Sequence, residues 1–300
     1  ARRFDPSERD LLDDHVRLHF GDLARSPDFP GTLAGFDAVI HLGDGLSILQ
    51  DERRAGTATV LIEASERLAH AIREARVPLL VHVSSIKALC DEEDDRLLVE
   101  TSQSRATTAY GLGKLRLEQA LAGVLEDSAT RHVTVRNPVM YGASKSGSLL
   151  RLLQLADSPY PLPLGGLANR RSVLSVHNLA SALHALLRAE GAPAGVLHVH
   201  DGPALSTTDI VETMRRALGR PRRLLPGHMI GLVTRRLPIL ASTARRLYGS
   251  LEMSDARFRG LVPWAPVEDT RVALAAMADS YARTGKFIAT PRSNRASAAR

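Results

Sequence analysis

Tyr110 and Lys114 stand four residues apart in the run Ala109-Tyr110-Gly111-Leu112-Gly113-Lys114. On a helix that spacing puts both side chains on one face. Upstream, the apolar run Leu79-Leu80-Val81-His82-Val83 ends on Ser84-Ser85. An ammonium beside a phenol draws its ordinary value of ~10 toward neutrality, and a nearby hydroxyl can orient a substrate oxygen. Ser85, Tyr110 and Lys114 together would make a proton-transfer site. A tyrosine four residues from a lysine also occurs by chance on a solvated helix. The serine closing an apolar strand is what points to function.

For the three to meet, Ser85 must sit at the carboxyl end of a buried strand, where open α/β sheets take their ligands. Tyr110 must then open a helix beside it. Hydrophobic patterning places strands over residues 15–20, 36–42, 79–85, 132–136, 173–176 and 196–200. It places helices over 58–75, 110–125, 178–189, 207–218 and 268–281, with Ser206 or Thr207 as an N-cap. Residues 159–166 read as a proline-glycine loop, and 224–247, broken by Pro226, Gly227 and Pro238, as short helices. Strands alternating with helices imply an α/β fold with a doubly wound, mostly parallel sheet.

Composition bounds the rest. The chain has 300 residues, 44% hydrophobic and 24% charged, ordinary values for a soluble globular protein. Its lone Cys90 excludes a disulfide framework and fits a reducing compartment. No apolar run is long enough to span a membrane, no signal-peptide pattern opens the sequence, and a cytoplasmic location is expected. The eleven histidines show no metal-ligand spacing, and no metal is expected. Net charge is +6, and nine arginines without an acidic residue lie between Glu212 and Glu252. Without aromatic interleaving, that belt reads as a solvated surface more readily than as a nucleic-acid site.

Val83-Ser84-Ser85-Ile86-Lys87-Ala88, followed by Ala109-Tyr110-Gly111-Leu112-Gly113-Lys114, resembles the extended short-chain dehydrogenase/reductases. The nearest resemblance is to the NAD-dependent nucleotide-sugar epimerase/dehydratase family, in its UDP-glucose 4-epimerase-like members, and it extends over most of the chain. It implies Ser85, Tyr110 and Lys114 as catalytic residues and NAD as cofactor, with NADP not excluded. Gly21-Asp22-Leu23 resembles the segment holding the cofactor's adenine. Ala38-Val39-Ile40-His41-Leu42, running into Gly43, resembles the strand beside its diphosphate. Asp22, Leu23, Leu42 and Gly43 would thus join Tyr110 and Lys114 in binding it. Asn137, in Arg136-Asn137-Pro138, matches a substrate-contacting asparagine. Arg171 matches an arginine that pairs with the substrate diphosphate, a task suited to a planar, permanently charged fork. Arg246, or its neighbour Arg245, would be the second phosphate partner.

The resemblance further implies a Rossmann-like part over residues 1–142 and 173–200, and a substrate lobe over 143–172 and 201–285. Residues 286–300 would be a flexible tail. It implies a nucleotide-sugar substrate, with a UDP-sugar favoured, and a homodimer through the helices at 58–75 and 110–125. The family's glycine-rich G-x-x-G-x-x-G turn, which binds the cofactor pyrophosphate at a helix N-terminus, does not occur in the sequence. The expectation is an N-terminally shortened form of a longer protein rather than a rebuilt fold. Gly43 is followed by Asp44 where small residues are usual, Leu61 stands where an asparagine often contacts the cofactor, and His177 replaces a common aspartate.

Three functions compete. The first is C4 epimerisation of a nucleotide-diphosphate sugar; the second is reduction of a 4-keto sugar by the same relay. A 4,6-dehydratase usually carries acidic residues after the catalytic serine, and Ile86-Lys87 argue against it. The third is a non-catalytic ligand- or RNA-binding relative with a degraded cofactor site. The arginine belt and Asp44 favour this last reading, and the intact serine–tyrosine–lysine set opposes it.

Overall fold

The computed structural model describes residues 15, 16, 19, 32–43, 58–91, 94–142, 148–189, 191, 194–227 and 247–284. In chain order the first half forms β1 (Ala38–His41), α1 (Ala58–Glu74), β2 (Leu79–Val83), a 3-10 turn (Ile86–Ala88), β3 (Asp94–Leu98), α2 (Ala109–Leu125) and β4 (Arg131–Arg136). Then follow β5 (Val139–Tyr141), α3 (Ser148–Ala156), β6 (Leu162–Gly165), β7 (Val173–Ser175), α4 (Val176–Arg188) and β8 (Gly195–His198). The last elements are α5 (Thr207–Ala217), β9 (Leu224–Pro226), β10 (Leu251–Met253), α6 (Ala256–Leu261) and α7 (Thr270–Arg283).

Four of the strands form one all-parallel sheet in the order β1-β2-β4-β8, and three further strand pairs flank it. β2 is buried along its whole length, which is why it reads as a near-continuous apolar run. Its pleat divides the core. Leu79, Val81 and Val83 face one way, packing with Val133, Val135, and Leu179, Leu183 and Leu186 of α4. Leu80 faces the other way, packing with Leu68 and Ile72 of α1 and Leu117 and Leu121 of α2. The sheet is therefore covered on both faces, as the sequence reading expects. A separate core joins α3, α5 and α7 through Leu153, Met214 and Leu274. Ile86, Leu89 and Cys90 meet Leu98, Leu251 and Met253 in a fourth cluster, which seats the turn after β2.

Two expectations are corrected. Within the expected loop at 159–166, β6 pairs in parallel with β9, which opens the stretch read as short helices. Leu162 and Leu164 point inward at alternate positions, and that burial outweighs the prolines. Pro163 sits in a two-stranded pair with an irregular register, where a missing donor is tolerated. The final helix begins at Thr270 rather than 268, because Asp269 caps it by accepting from the backbones of Arg271 and Val272. Of the expected strand at 15–20, residues 15, 16 and 19 are described and none is in a strand, while 17, 18 and 20 lie outside the described residues, as do most of the short helices and the tail.

Candidate active site

The site begins where β2 stops. Ser84 N donates to Val135 O at 2.8 Å, extending the sheet by one residue. Ser85 stays extended, and its Oγ accepts from Lys87 N at 3.2 Å, capping the 3-10 turn. The next donor, Ile86 N, reaches Asn137 O at 2.9 Å, so the ends of β2 and β4 are pinned together. That bond brings Asn137 beside the Ser85 turn. Asn137 is buried and its Nδ2 donates to Pro138 O at 2.9 Å. Its Oδ1 has no hydrogen-bond partner among the described residues, an acceptor available to a ligand.

α2 docks against this turn through two local devices. Thr108 is its N-cap, accepting from Gly111 N at 3.0 Å. Asp91 accepts from Thr107 N at 2.5 Å, from Thr108 N at 2.9 Å and from both threonine hydroxyls. Burial pushes the Asp91 carboxyl up, but those bonds prevail and hold it below the ordinary carboxylate value. Gly111 faces the turn so closely that a Cβ there would lie 2.6 Å from the Lys87 carbonyl oxygen. Only glycine allows the first turn of α2 to press onto the Ser85 segment.

Tyr110 is half-buried at the start of α2, and Lys114, one turn on, is 6% exposed. The Lys114 ammonium lies 5.8 Å from the centre of the Tyr110 ring, and the Lys87 ammonium lies 5.9 Å from it. One turn further along the same face, Glu118 meets Arg136 from the end of β4. Arg136 Nε is 3.0 and 3.1 Å from the two carboxylate oxygens, and Nη2 is 2.5 Å from Oε2. Ser84 Oγ donates to the same carboxylate at 2.5 Å. Both charged side chains are 6% exposed. A buried pair in this forked geometry fixes the helix against both strands, since removing either partner would strand a charge. Beside Lys114 lies His82, fully buried, with neither ring nitrogen hydrogen-bonded among the described residues. Burial first, then the charges of His41, Lys114 and His132, hold its pKa well below the ordinary value. The imidazole stays neutral, so no second cation crowds Lys114 from the sheet.

Ser85 and Asn137 thus lie at the carboxyl ends of β2 and β4, and the turn of α2 that carries Tyr110 and Lys114 packs against the Ser85 segment. A phenol with an ammonium beside it and a hydroxyl nearby can take a proton from a substrate alcohol and return it. Leu42 and Gly43 follow β1 directly, both exposed, with open space where a Gly43 Cβ would be. Arg171 is half-buried, its Nη1 donating to Gly249 O at 2.7 Å and its backbone bridging Leu205 and Leu251. Asp22, Leu23 and Arg246, like Asp44, lie outside the described residues. Asp91, Gly111, Glu118 and Arg136 escape the sequence reading. Glu118 alone left a signal, continuing the four-residue spacing of Tyr110 and Lys114. Among the described residues no cluster of three or more metal-ligating side chains occurs.

The chain is 25% identical over 269 residues to the UDP-glucose 4-epimerase of Vibrio cholerae, covering 85% of this chain and 79% of that protein. It is 28% identical over 221 residues to the UDP-glucose 4-epimerase of Streptomyces lividans, covering 64% of each, so under two thirds of that relative. Among solved structures, a UDP-glucuronic acid 4-epimerase from Bacillus cereus, in complex with UDP-glucuronic acid and NAD, superposes with a TM-score of 0.70. That match covers 92% of this chain and 85% of the other at 17% identity. A UDP-glucose 4-epimerase from Thermotoga maritima, with UDP-glucose, gives 0.68 at 13% identity, covering 92% and 87%. At such identities the two structures speak for the fold alone. Residues 2–199 match the NAD dependent epimerase/dehydratase family, and to that family this chain belongs.

Proposed function

We propose that the protein is an NAD-dependent C4 epimerase of a nucleotide-diphosphate sugar. The observation that carries this reading is the packing of Tyr110 and Lys114 on one face of α2 against the Ser85 turn. It occurs in a chain that resembles a UDP-glucose 4-epimerase over 85% of its length. In this reading Tyr110 takes the proton from the sugar C4 hydroxyl and later returns it. Lys114 places a positive charge beside the reacting oxygens, and Ser85 orients the sugar oxygen and shares its developing charge. The unpartnered Asn137 Oδ1 accepts from the sugar. Arg171, and with it Arg246, pairs with the substrate diphosphate from the lobe formed by 143–172 and 201–285.

The residues present fit the nicotinamide end of a dinucleotide. A phenol and a buried ammonium stand at the carboxyl ends of parallel strands, and the exposed end of β1 leaves room for a diphosphate. Bound there, the nicotinamide supplies reversible hydride transfer at the sugar carbon.

The experiment is to denature the purified protein, assay the supernatant for NAD(H) and NADP(H), and then follow UDP-sugar interconversion. Near-stoichiometric NAD and turnover without net cofactor consumption are expected. Stoichiometric consumption of added NAD(P)H would replace the epimerase reading with a reductase. No dinucleotide, retained or on titration, and no turnover would sink it.

A further inference from the structure

The arginines that close α5 and lead into β9 have no part in the reaction, and the fold gathers them at one corner. Arg220 Nε donates to Asp157 Oδ1 at 2.9 Å, just past the end of α3. Arg222 Nε donates to Glu212 Oε1 at 2.7 Å, on α5. Arg216 stands four residues after Glu212, on the same face of that helix. Arg223 O accepts from Leu162 N at 3.1 Å where β6 starts, and its Nη1 donates to Pro159 O at 3.3 Å. Beside them Arg215 is buried, its Nε donating to Pro221 O at 2.8 Å. Neither Arg215 Nη finds a hydrogen-bond partner among the described residues.

Five guanidiniums thus share two carboxylates, Asp157 and Glu212. Arg216 and Arg223 meet no carboxylate among the described residues. Burial and the charges of Arg220 and Arg223 lower the Arg215 pKa, but a guanidinium stays charged all the same. The corner therefore carries positive charge that the described residues do not neutralise, and an anion from outside is the natural complement. Apolar side chains surface at the same corner. Tyr160, next to Pro159, is 73% exposed, and Leu155 and Leu225 are exposed beside it in sequence on α3 and β9. Arg223 holds φ at 30°, backbone that suits glycine better than arginine. An arginine kept there at a cost in strain points to a use for its side chain.

Phosphates would satisfy the guanidiniums, and both nucleic acids and lipids offer them. The apolar side chains decide between the two. A nucleic-acid strand is held by aromatic faces that stack on its bases, and this corner pairs a single tyrosine with two leucines. A bilayer surface takes basic side chains at its anionic headgroups, and tyrosine and leucine at the boundary with the acyl chains. No helix among the described residues is long and apolar enough to cross a membrane, so contact would be with the surface. We propose that the corner formed by the end of α3, the start of β6 and the α5–β9 connection docks the protein on an anionic lipid bilayer.

Co-sedimentation of the full chain with vesicles tests this, using phosphatidylcholine alone and phosphatidylcholine mixed with phosphatidylglycerol. The protein should pellet with the mixed vesicles and stay in solution with the neutral ones, and added salt should release it. A basic residue near an anionic surface strengthens binding about fivefold. The triple variant Arg216→Gln/Arg222→Gln/Arg223→Gln should therefore weaken partitioning about a hundredfold. Tyr160→Ser should weaken it roughly three- to tenfold and leave the salt dependence unchanged. All four side chains are exposed, so both variants should keep the wild-type unfolding midpoint. Failure to pellet with the mixed vesicles would overturn the proposal, as would a triple variant that pellets like the wild type. So would single-stranded RNA that strips the protein from the vesicles while Tyr160→Ser changes nothing, since the corner would then be a nucleic-acid surface.

Discussion

Tyr110 and Tyr141 are the same side chain put to opposite uses. Tyr110 is half-buried at the start of α2, its ring beside the ammoniums of Lys87 and Lys114. Tyr141 ends β5, is 3% exposed, and donates at 2.5 Å to Asp201. Asp201 also accepts from Ser175 N and Asn178 Nδ2, both at 2.8 Å. Burial first, and then the Asp201 charge, push the Tyr141 hydroxyl far above its ordinary value. A phenol among cations is placed for the proton transfer proposed above; a phenol sealed against a carboxylate serves as a fixed donor. The carboxylates of the two regions differ in the same sense. Glu118 is matched by a guanidinium, whereas Asp201 is held by neutral donors alone.

Four experiments press on that contrast. Tyr110→Phe should cut epimerase turnover by roughly 10²–10⁴ with little change in thermal stability. A mutant that keeps wild-type turnover removes Tyr110 from the chemistry. Arg136→Met strands a buried carboxylate and should cost about 3–5 kcal/mol in urea unfolding. The double variant with Glu118→Leu should recover much of that loss, and equal losses in single and double variants would deny the coupling. Tyr141→Phe should cost about 1–3 kcal/mol by taking one donor from Asp201, with turnover much less affected than by Tyr110→Phe. The reverse pattern, a stable but inactive Tyr141→Phe, would erase the distinction between the two tyrosines.

The smallest effects are pH slopes of opposite sign. Burial raises the Asp201 carboxyl, outweighing the hydrogen bonds that oppose it. The folded state then binds more protons, so its stability falls as pH rises from the ordinary carboxylate value through the raised one. Asp91 is depressed instead, and its contribution is present above the ordinary value and lost as pH falls through the depressed one. Urea midpoints across an acid pH series should show Asp201→Asn and Asp91→Asn each deleting its own slope. Unchanged slopes in both variants would mean other groups carry the acid response.

Much of this was legible in the residues because local pattern carried it. The apolar run at Leu79–Val83 and the alternating Arg131–Arg136 both read as strands. Ser206 or Thr207 announced the next helix as its cap, and the structure gives the role to Ser206, in a capping box with Asp209. The four-residue step from Tyr110 to Lys114 stood out for the same reason. What the pattern hid is what distance in sequence hides. Asp91 and Thr108 meet only after the chain turns back, and nothing near Arg136 says that its partner is Glu118. β6 was masked by prolines, because its pairing with β9 depends on a core built from α3, α5 and α7.

The Asp201 hub also sets a timetable. Tyr141 bonds Asp201, 60 residues later, and its hydroxyl also reaches Thr270 O, 129 residues away. Asn178 Nδ2 likewise donates to Glu268 O, 90 residues on. β2, α2 and β4 all lie within residues 79–136 and can meet one another long before α7 is made. The core shared by α3, α5 and α7 cannot be completed until α7 has emerged, and until then the face of α5 that α7 covers lies open. Contacts of such long range fold late and leave the nascent chain exposed to aggregation. The last helix is thus the latch whose arrival ends that exposure.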